Sequence, residues 1–74
     1  MSVHTERLDV RDLEEPPFAR IDTALSELGS GERLLLVNDF EPEPLYEVLE
    51  RRGFSYETSR VTDDEWHVEI ERTG

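Results

Sequence analysis

Gly31-Glu32-Arg33-Leu34-Leu35-Leu36-Val37-Asn38-Asp39 is the stretch on which the fold turns. Four apolar residues in a row occupy both odd and even positions, with charged or polar residues on either side. A strand covered on one face alternates apolar and polar; a run apolar at every position is the pattern of an interior strand. Gly31 before it and Asn38-Asp39 after it bound that strand with turn residues. The strand is therefore predicted over Glu32 to Asn38. Alternation puts Leu34 and Leu36 on one face and Leu35 and Val37 on the other.

Upstream, Leu8 to Arg11 alternates apolar and polar, as a half-buried first strand does. Leu13 to Pro17 forms a short loop, and Pro17 suits the first turn of a helix. Phe18, Ile21, Leu25 and Leu28 then recur at spacings of three and four, one apolar helix face. Gly29 closes that helix as a C-cap and Gly31 completes the turn. Downstream, Asp39 to Glu41 is a loop and Pro42 opens a second helix, with Leu45, Val48 and Leu49 on its apolar face. Arg51 and Arg52 favour the helix C-terminus, and Gly53 stops it. Phe54 to Val61 is a third strand and Thr62 to Glu65 a polar turn. In the fourth strand Trp66, Val68 and Ile70 alternate with His67, Glu69 and Glu71.

The predicted order is β-α-β-α-β-β. Two parallel-type crossovers and a closing hairpin imply an α+β two-layer sandwich, with a four-stranded mixed sheet and both helices on one face. The length of 74 residues supports one domain over residues 1–74, with 1–6 and 72–74 expected to be flexible. Leu34 and Leu36 are assigned to the helices, so Leu35 and Val37 become candidates for an interaction face. The opposite assignment also leaves one pair without helix cover. An exposed apolar strip marks a docking site unless neighbouring Arg stems cover it.

Composition constrains the setting. Every one of the 8 basic residues is Arg, against 19 acids, for a net charge of −11. Missing Lys is also what a GC-rich genome produces, but that leaves the acid excess unexplained. At molar salt the Debye length falls to about 3 Å, so such self-repulsion is screened. Adaptation to strong salt accounts for both features. Without Cys there is no disulfide, no thiolate nucleophile and no Cys-based zinc site. The charge opposes binding to nucleic acid and to anionic membranes. No apolar run is long enough for a membrane span or a signal peptide, and the expected location is the cytoplasm.

Leu8-Asp9-Val10-Arg11-Asp12-Leu13-Glu14-Glu15-Pro16 resembles the opening of the TusA/SirA-like sulfur carriers, which reads Leu-Asp-x-x-Gly-Leu-x-Cys-Pro. Gly31-Glu32-Arg33-Leu34 is similar to a second segment of those proteins. Asn38-Asp39-Phe40-Glu41-Pro42-Glu43-Pro44-Leu45-Tyr46 resembles more closely a sister group, the domain-of-unknown-function family 2249, typically Asn-Asp-His-x-Pro-x-Pro-Leu-Tyr. The resemblance runs from about Leu8 to Ile70 and, with the composition, points to a haloarchaeal-type member of TusA/SirA-like fold. It also implies an accessory role in redox or nitrogen-oxide metabolism, because such domains accompany hemerythrin-like and cupin modules. Two departures bear on function. The carriers' Cys position is Glu15 here, and a carboxylate cannot hold a persulfide. The sister family's His before its first Pro is Phe40.

The candidate ligand or metal residues are Asn38, Asp39 and Glu41, with Glu15 at the start of the first helix. The loop Asn38 to Glu41 leaves the sheet at a strand's C-terminal end, where ligands of open α/β sheets bind, and its oxygens suit a hard cation. Asx-rich turns serve equally as caps. Glu14 and Glu15 also complement the helix dipole with no ligand present. His4 and His67 are the only imidazoles and suggest no metal centre by themselves. No motif calls for a cofactor or places a catalytic residue. The expected function is a non-catalytic binding or accessory domain with a protein partner or a second copy of itself; the alternative is a metal- or small-molecule-binding domain using the Asn38 to Glu41 loop.

Overall fold

The computed structural model describes residues 5–11 and 17–72. Its elements are β1 (Thr5–Asp9), α1 (Pro17–Glu27), β2 (Arg33–Asn38), α2 (Glu43–Arg51), β3 (Phe54–Thr62) and β4 (Glu65–Arg72). The strands form one mixed sheet in the order β1-β2-β4-β3. β1 and β2 are parallel, and β4 lies antiparallel to both β2 and β3. β2 is thus the interior strand that its apolar run implies, and the α+β sandwich is as expected.

One core joins the two helices to one sheet face. Ile21, Leu25 and Leu28 from the α1 side and Leu45 and Leu49 from α2 pack with Leu34, Leu36, Val68, Ile70 and Phe54. Tyr46 and Tyr56 stack over its margin, ring centroids 4.6 Å apart and nearly parallel. Arg72 ties β4 to the end of α1: its guanidinium donates to the carbonyls of Leu28 at 2.7 Å and Leu25 at 3.2 Å. The Leu28 carbonyl lies just past the helix end, where carbonyls lack intrahelical partners, and the Leu25 carbonyl also accepts the Leu28 N–H at 3.2 Å.

Several local expectations change. The first strand spans Thr5–Asp9 rather than Leu8 to Arg11. After Asp9 the chain turns, because the Asp9 carboxylate captures both the backbone and the guanidinium of Arg11. Val10 still donates its N–H to Val37 at 3.0 Å and buries its side chain. Thr5, Glu6 and Arg72, expected in flexible ends, lie in paired strands. Phe18, predicted on the apolar face of α1, is 54% exposed, and the core face of the helix begins at Ile21. The left-handed glycines are Gly31 and Gly53, not Gly29. At Gly29 the missing side chain admits the Glu32 carboxylate, which accepts the Gly29 N–H at 2.6 Å.

The largest correction concerns the open face of the sheet. Leu35 is half-buried and Val37 is fully buried, so no apolar strip is exposed there. Charged neighbours roof it over. On β4, His67 stands opposite Val37 and Glu69 opposite Leu35. Arg33 reaches Glu69 at 3.1 Å and lies 3.6 Å from Glu71. The interaction-face assignment of Leu35 and Val37 therefore fails, because the long ionic side chains of the flanking strands cover them.

Candidate functional site

The chain leaves β1, β2 and β3 at the same end of the sheet, and β4 begins there. Three features lie toward that end: the β2–α2 loop, a network of ion pairs, and three exposed apolar side chains of the described residues.

The loop begins at Asn38, the last residue of β2 and the one buried polar residue of the described core. Its side-chain oxygen accepts the N–H of Asp39 at 2.9 Å, so the amide caps its own turn. Asp39 is exposed. Glu41 accepts the Tyr46 hydroxyl at 3.2 Å, and that hydroxyl lies 2.7 Å from the Thr58 hydroxyl. Burial, with the nearby Glu41 charge, holds the Tyr46 hydroxyl above its ordinary pKa. The structure therefore separates the three loop candidates. Asn38 is turned into the fold, Glu41 is tied to α2, and Asp39 faces solvent. Glu15, like Glu14 and His4, lies outside the described residues. Among the described residues no group of three or more His, Asp or Glu comes together as a metal site.

The ion pairs run from Arg7 to His67. Arg7 lies 3.8 Å from the Asp9 carboxylate. Arg11 binds Asp9 through Nε at 3.0 Å and Nη2 at 2.7 Å, and also donates its backbone N–H. Its Nη1 reaches Glu65 at 3.2 Å, whose other oxygen is 2.7 Å from Nε2 of His67. The side-chain hydrogen bonds of Arg11, then its backbone N–H, lower the Asp9 pKa from 3.8 to about 2. The His67 hydrogen bond, with the charge of Arg11, lowers that of Glu65. Both carboxylates of this network, Asp9 and Glu65, have a cation or an imidazole beside them. Its two ends on the sheet, Asp9 of β1 and His67 of β4, stand on either side of the buried Val37.

The third feature was not singled out in the sequence. Among the described residues, Phe18, Phe40 and Val61 are the large hydrophobics left exposed, at 54, 58 and 52%. Phe18 opens α1 beyond the end of β1, Phe40 follows β2, and Val61 nears the end of β3. Three separate elements thus deliver their exposed apolar side chain to one end of the sheet. Arg60 lies over the Trp66 ring at 5.8 Å and pairs with Asp63 in the same region. A signal existed for Phe40: an aromatic between two acids in a short loop has no period that takes it to a core. Phe18 carried the opposite signal, because it continued the helical period of Ile21 and Leu25.

A family model described as an uncharacterized conserved protein, DUF2249, matches residues 7–72. No curated protein and no solved structure matches the chain.

Proposed function

The chain belongs to the DUF2249 family, and from that premise we propose that it is a non-catalytic accessory domain that docks on another protein. The observation that carries the reading is that Phe18, Phe40 and Val61 stand exposed on three segments that start or finish at the same end of the sheet, in a strongly acidic domain. Contiguous exposed apolar area marks contact surfaces, and these three side chains are taken as parts of one such area. The surroundings are acidic, with Asp39, Asp63 and Asp64 all exposed. A partner surface with apolar centre and basic rim fits them.

The chemistry of the chain supports a binding role over a transfer role. Sulfur relay needs a thiol, and the chain has no Cys. The TusA/SirA-like fold is read here as a scaffold without its thiol. A setting in redox or nitrogen-oxide metabolism rests on the modules that accompany the family, which is analogy. A cytoplasm of molar salt suits the charge of −11. The thermal midpoint is expected to rise between dilute and molar salt, and a flat dependence would count against that setting.

The docking reading is tested with Phe18→Ser, Phe40→Ser and Val61→Ser, singly and together. Affinity capture from native lysate at molar salt, read by mass spectrometry, is expected to retain a defined partner with the wild type. The triple variant should lose it while keeping its thermal midpoint. Equal retention of the same partner by the folded triple variant overturns the reading.

A further inference from the structure

Among the described residues β1 has one neighbouring strand, β2, and stands at an edge of the sheet. Beside it a groove of about 320 Å³ runs between β1 and α1, with Leu8, Ala24 and Leu28 among its lining. We infer that this edge joins two copies of the chain, with β1 antiparallel to the partner's β1 in a register centred on Leu8. The inference is independent of the docking end described above.

The backbone decides which groups are available. Val10 donates its N–H to Val37 of β2. Backbone groups alternate along a strand, so Glu6, Leu8 and Val10 face β2, while Thr5, Arg7 and Asp9 direct N–H and C=O outward. Only extended backbone satisfies such an edge, and the side chains select which. A two-fold axis perpendicular to the sheet keeps the helices of both copies on one side, and it centres the register on a single residue. Centring on Glu6 sets two carboxylates opposite each other, and centring on Arg7 sets two guanidiniums. Centring on Leu8 sets Arg7 opposite the partner's Asp9, twice, with Leu8 against the partner's Leu8. In that register Arg7 and the partner's Asp9 are outward-facing residues, so they exchange both backbone hydrogen bonds. Arg7 already stands on the Asp9 side of the sheet, 3.8 Å from its own Asp9.

The helix beside the groove has the same symmetry. Arg20, Thr23, Ala24 and Glu27 line it from α1. In chain order they are a cation, two small residues and an anion. A two-fold axis between Thr23 and Ala24 sets Arg20 against the partner's Glu27 and lets the small residues meet in the middle. Strand and helix are thus each self-complementary, as a closed two-fold interface requires. The net charge of −11 per copy opposes association in dilute buffer, so the dimer should form as salt screens it.

Sedimentation velocity of the whole chain, from dilute to molar potassium chloride, reads the result. The wild type should become dimeric with rising salt. Arg7→Pro removes an outward N–H and leaves the β1–β2 ladder intact, so it should yield a folded monomer by circular dichroism. Arg20→Glu and Glu27→Arg should each weaken the dimer about three- to tenfold, at the lowest salt where the wild type dimerises, by turning two ion pairs into repulsions. The combined charge reversal should restore it, which is decisive should Arg7→Pro fail to fold. A wild type that stays monomeric at molar salt, a dimer that survives Arg7→Pro, or a combined reversal no better than the single variants overturns the proposal.

Discussion

Leu36 and Val37 are neighbours on β2, point to opposite faces of the sheet, and are both completely buried. They are buried by different means. Leu36 lies under two helices, among Leu25, Leu45 and Leu49 in the apolar core. Val37 lies under side chains that are themselves partly in water: Asp9 and His67 flank it, linked through Arg11 and Glu65. One face of the sheet excludes water with apolar volume, the other with a roof of ionic groups. The first depends on buried apolar area, which contains no titrating group. The second depends on charge and on the stems that carry it. A domain of this size, whose helices cover one side only, can close the other without spending further chain on it.

The comparison is broken most severely on the helix side. Leu49→Ala removes a side chain with no exposed surface and should cost about 2–5 kcal/mol in urea unfolding, through lost burial and a residual cavity. A loss under about 1 kcal/mol would mean that the core collapses around the gap. On the other face, Val37→Thr tests whether the roof is tight. A hydroxyl buried there without a partner should cost about 1–3 kcal/mol. A change within about 0.5 kcal/mol, usual for an exposed position, would show that water reaches Val37.

The roof itself should contribute less. Arg11→Gln removes the cation shared by Asp9 and Glu65, and exposed pairs of this kind are worth about 0.2–1 kcal/mol. Its sharper signature is in pH. The folded-state pKa of Asp9 is lowered, so its contribution is present above the usual carboxylate value of 3.8 and is lost as pH falls through about 2. In Arg11→Gln the Asp9 titration, followed by NMR, should move up toward 3.8 and that part of the acid unfolding arm should vanish. An unmoved titration would mean that Arg7 or another group holds the carboxylate. The smallest effect is expected further along the same face, where Glu57 stands directly opposite Glu69. Glu57→Thr should stabilise by a few tenths of a kcal/mol in dilute buffer, by removing a like-charge pair. The gain should shrink in molar salt as screening takes over. A gain independent of salt would point to strand propensity rather than charge.

Much of the fold was legible because its signals are local. The double-sided run Leu34 to Val37 identified the interior strand, and the spacing of Ile21, Leu25 and Leu28 identified α1. Gly53, with its positive φ, marked the end of α2. The errors have equally local causes. Phe18 obeys the helical period but stands 54% exposed, one turn before the first residue of α1 that enters the core. The first strand was displaced toward Arg11 because alternation continues through Val10, whereas the Asp9 carboxylate bends the chain there. The candidate site was legible only in part. Asn38, Asp39 and Glu41 are adjacent in sequence, but one faces inward, one outward, and one binds a tyrosine.

By itself the sequence determined the element order, the two-layer class, the absence of any thiol chemistry and the acidic surface. These follow from period, turn residues and composition, each readable within a few positions. Only the tertiary structure decided which charges meet. Arg11 and Glu65 lie far apart in the chain, and strand order brings them together across the end of β2. The same order carries Phe18, Phe40 and Val61 to one end of the sheet and leaves β1 at its edge. Side-chain periodicity tells a residue which face it occupies; strand order determines its neighbours, and the neighbours decide whether that face is open.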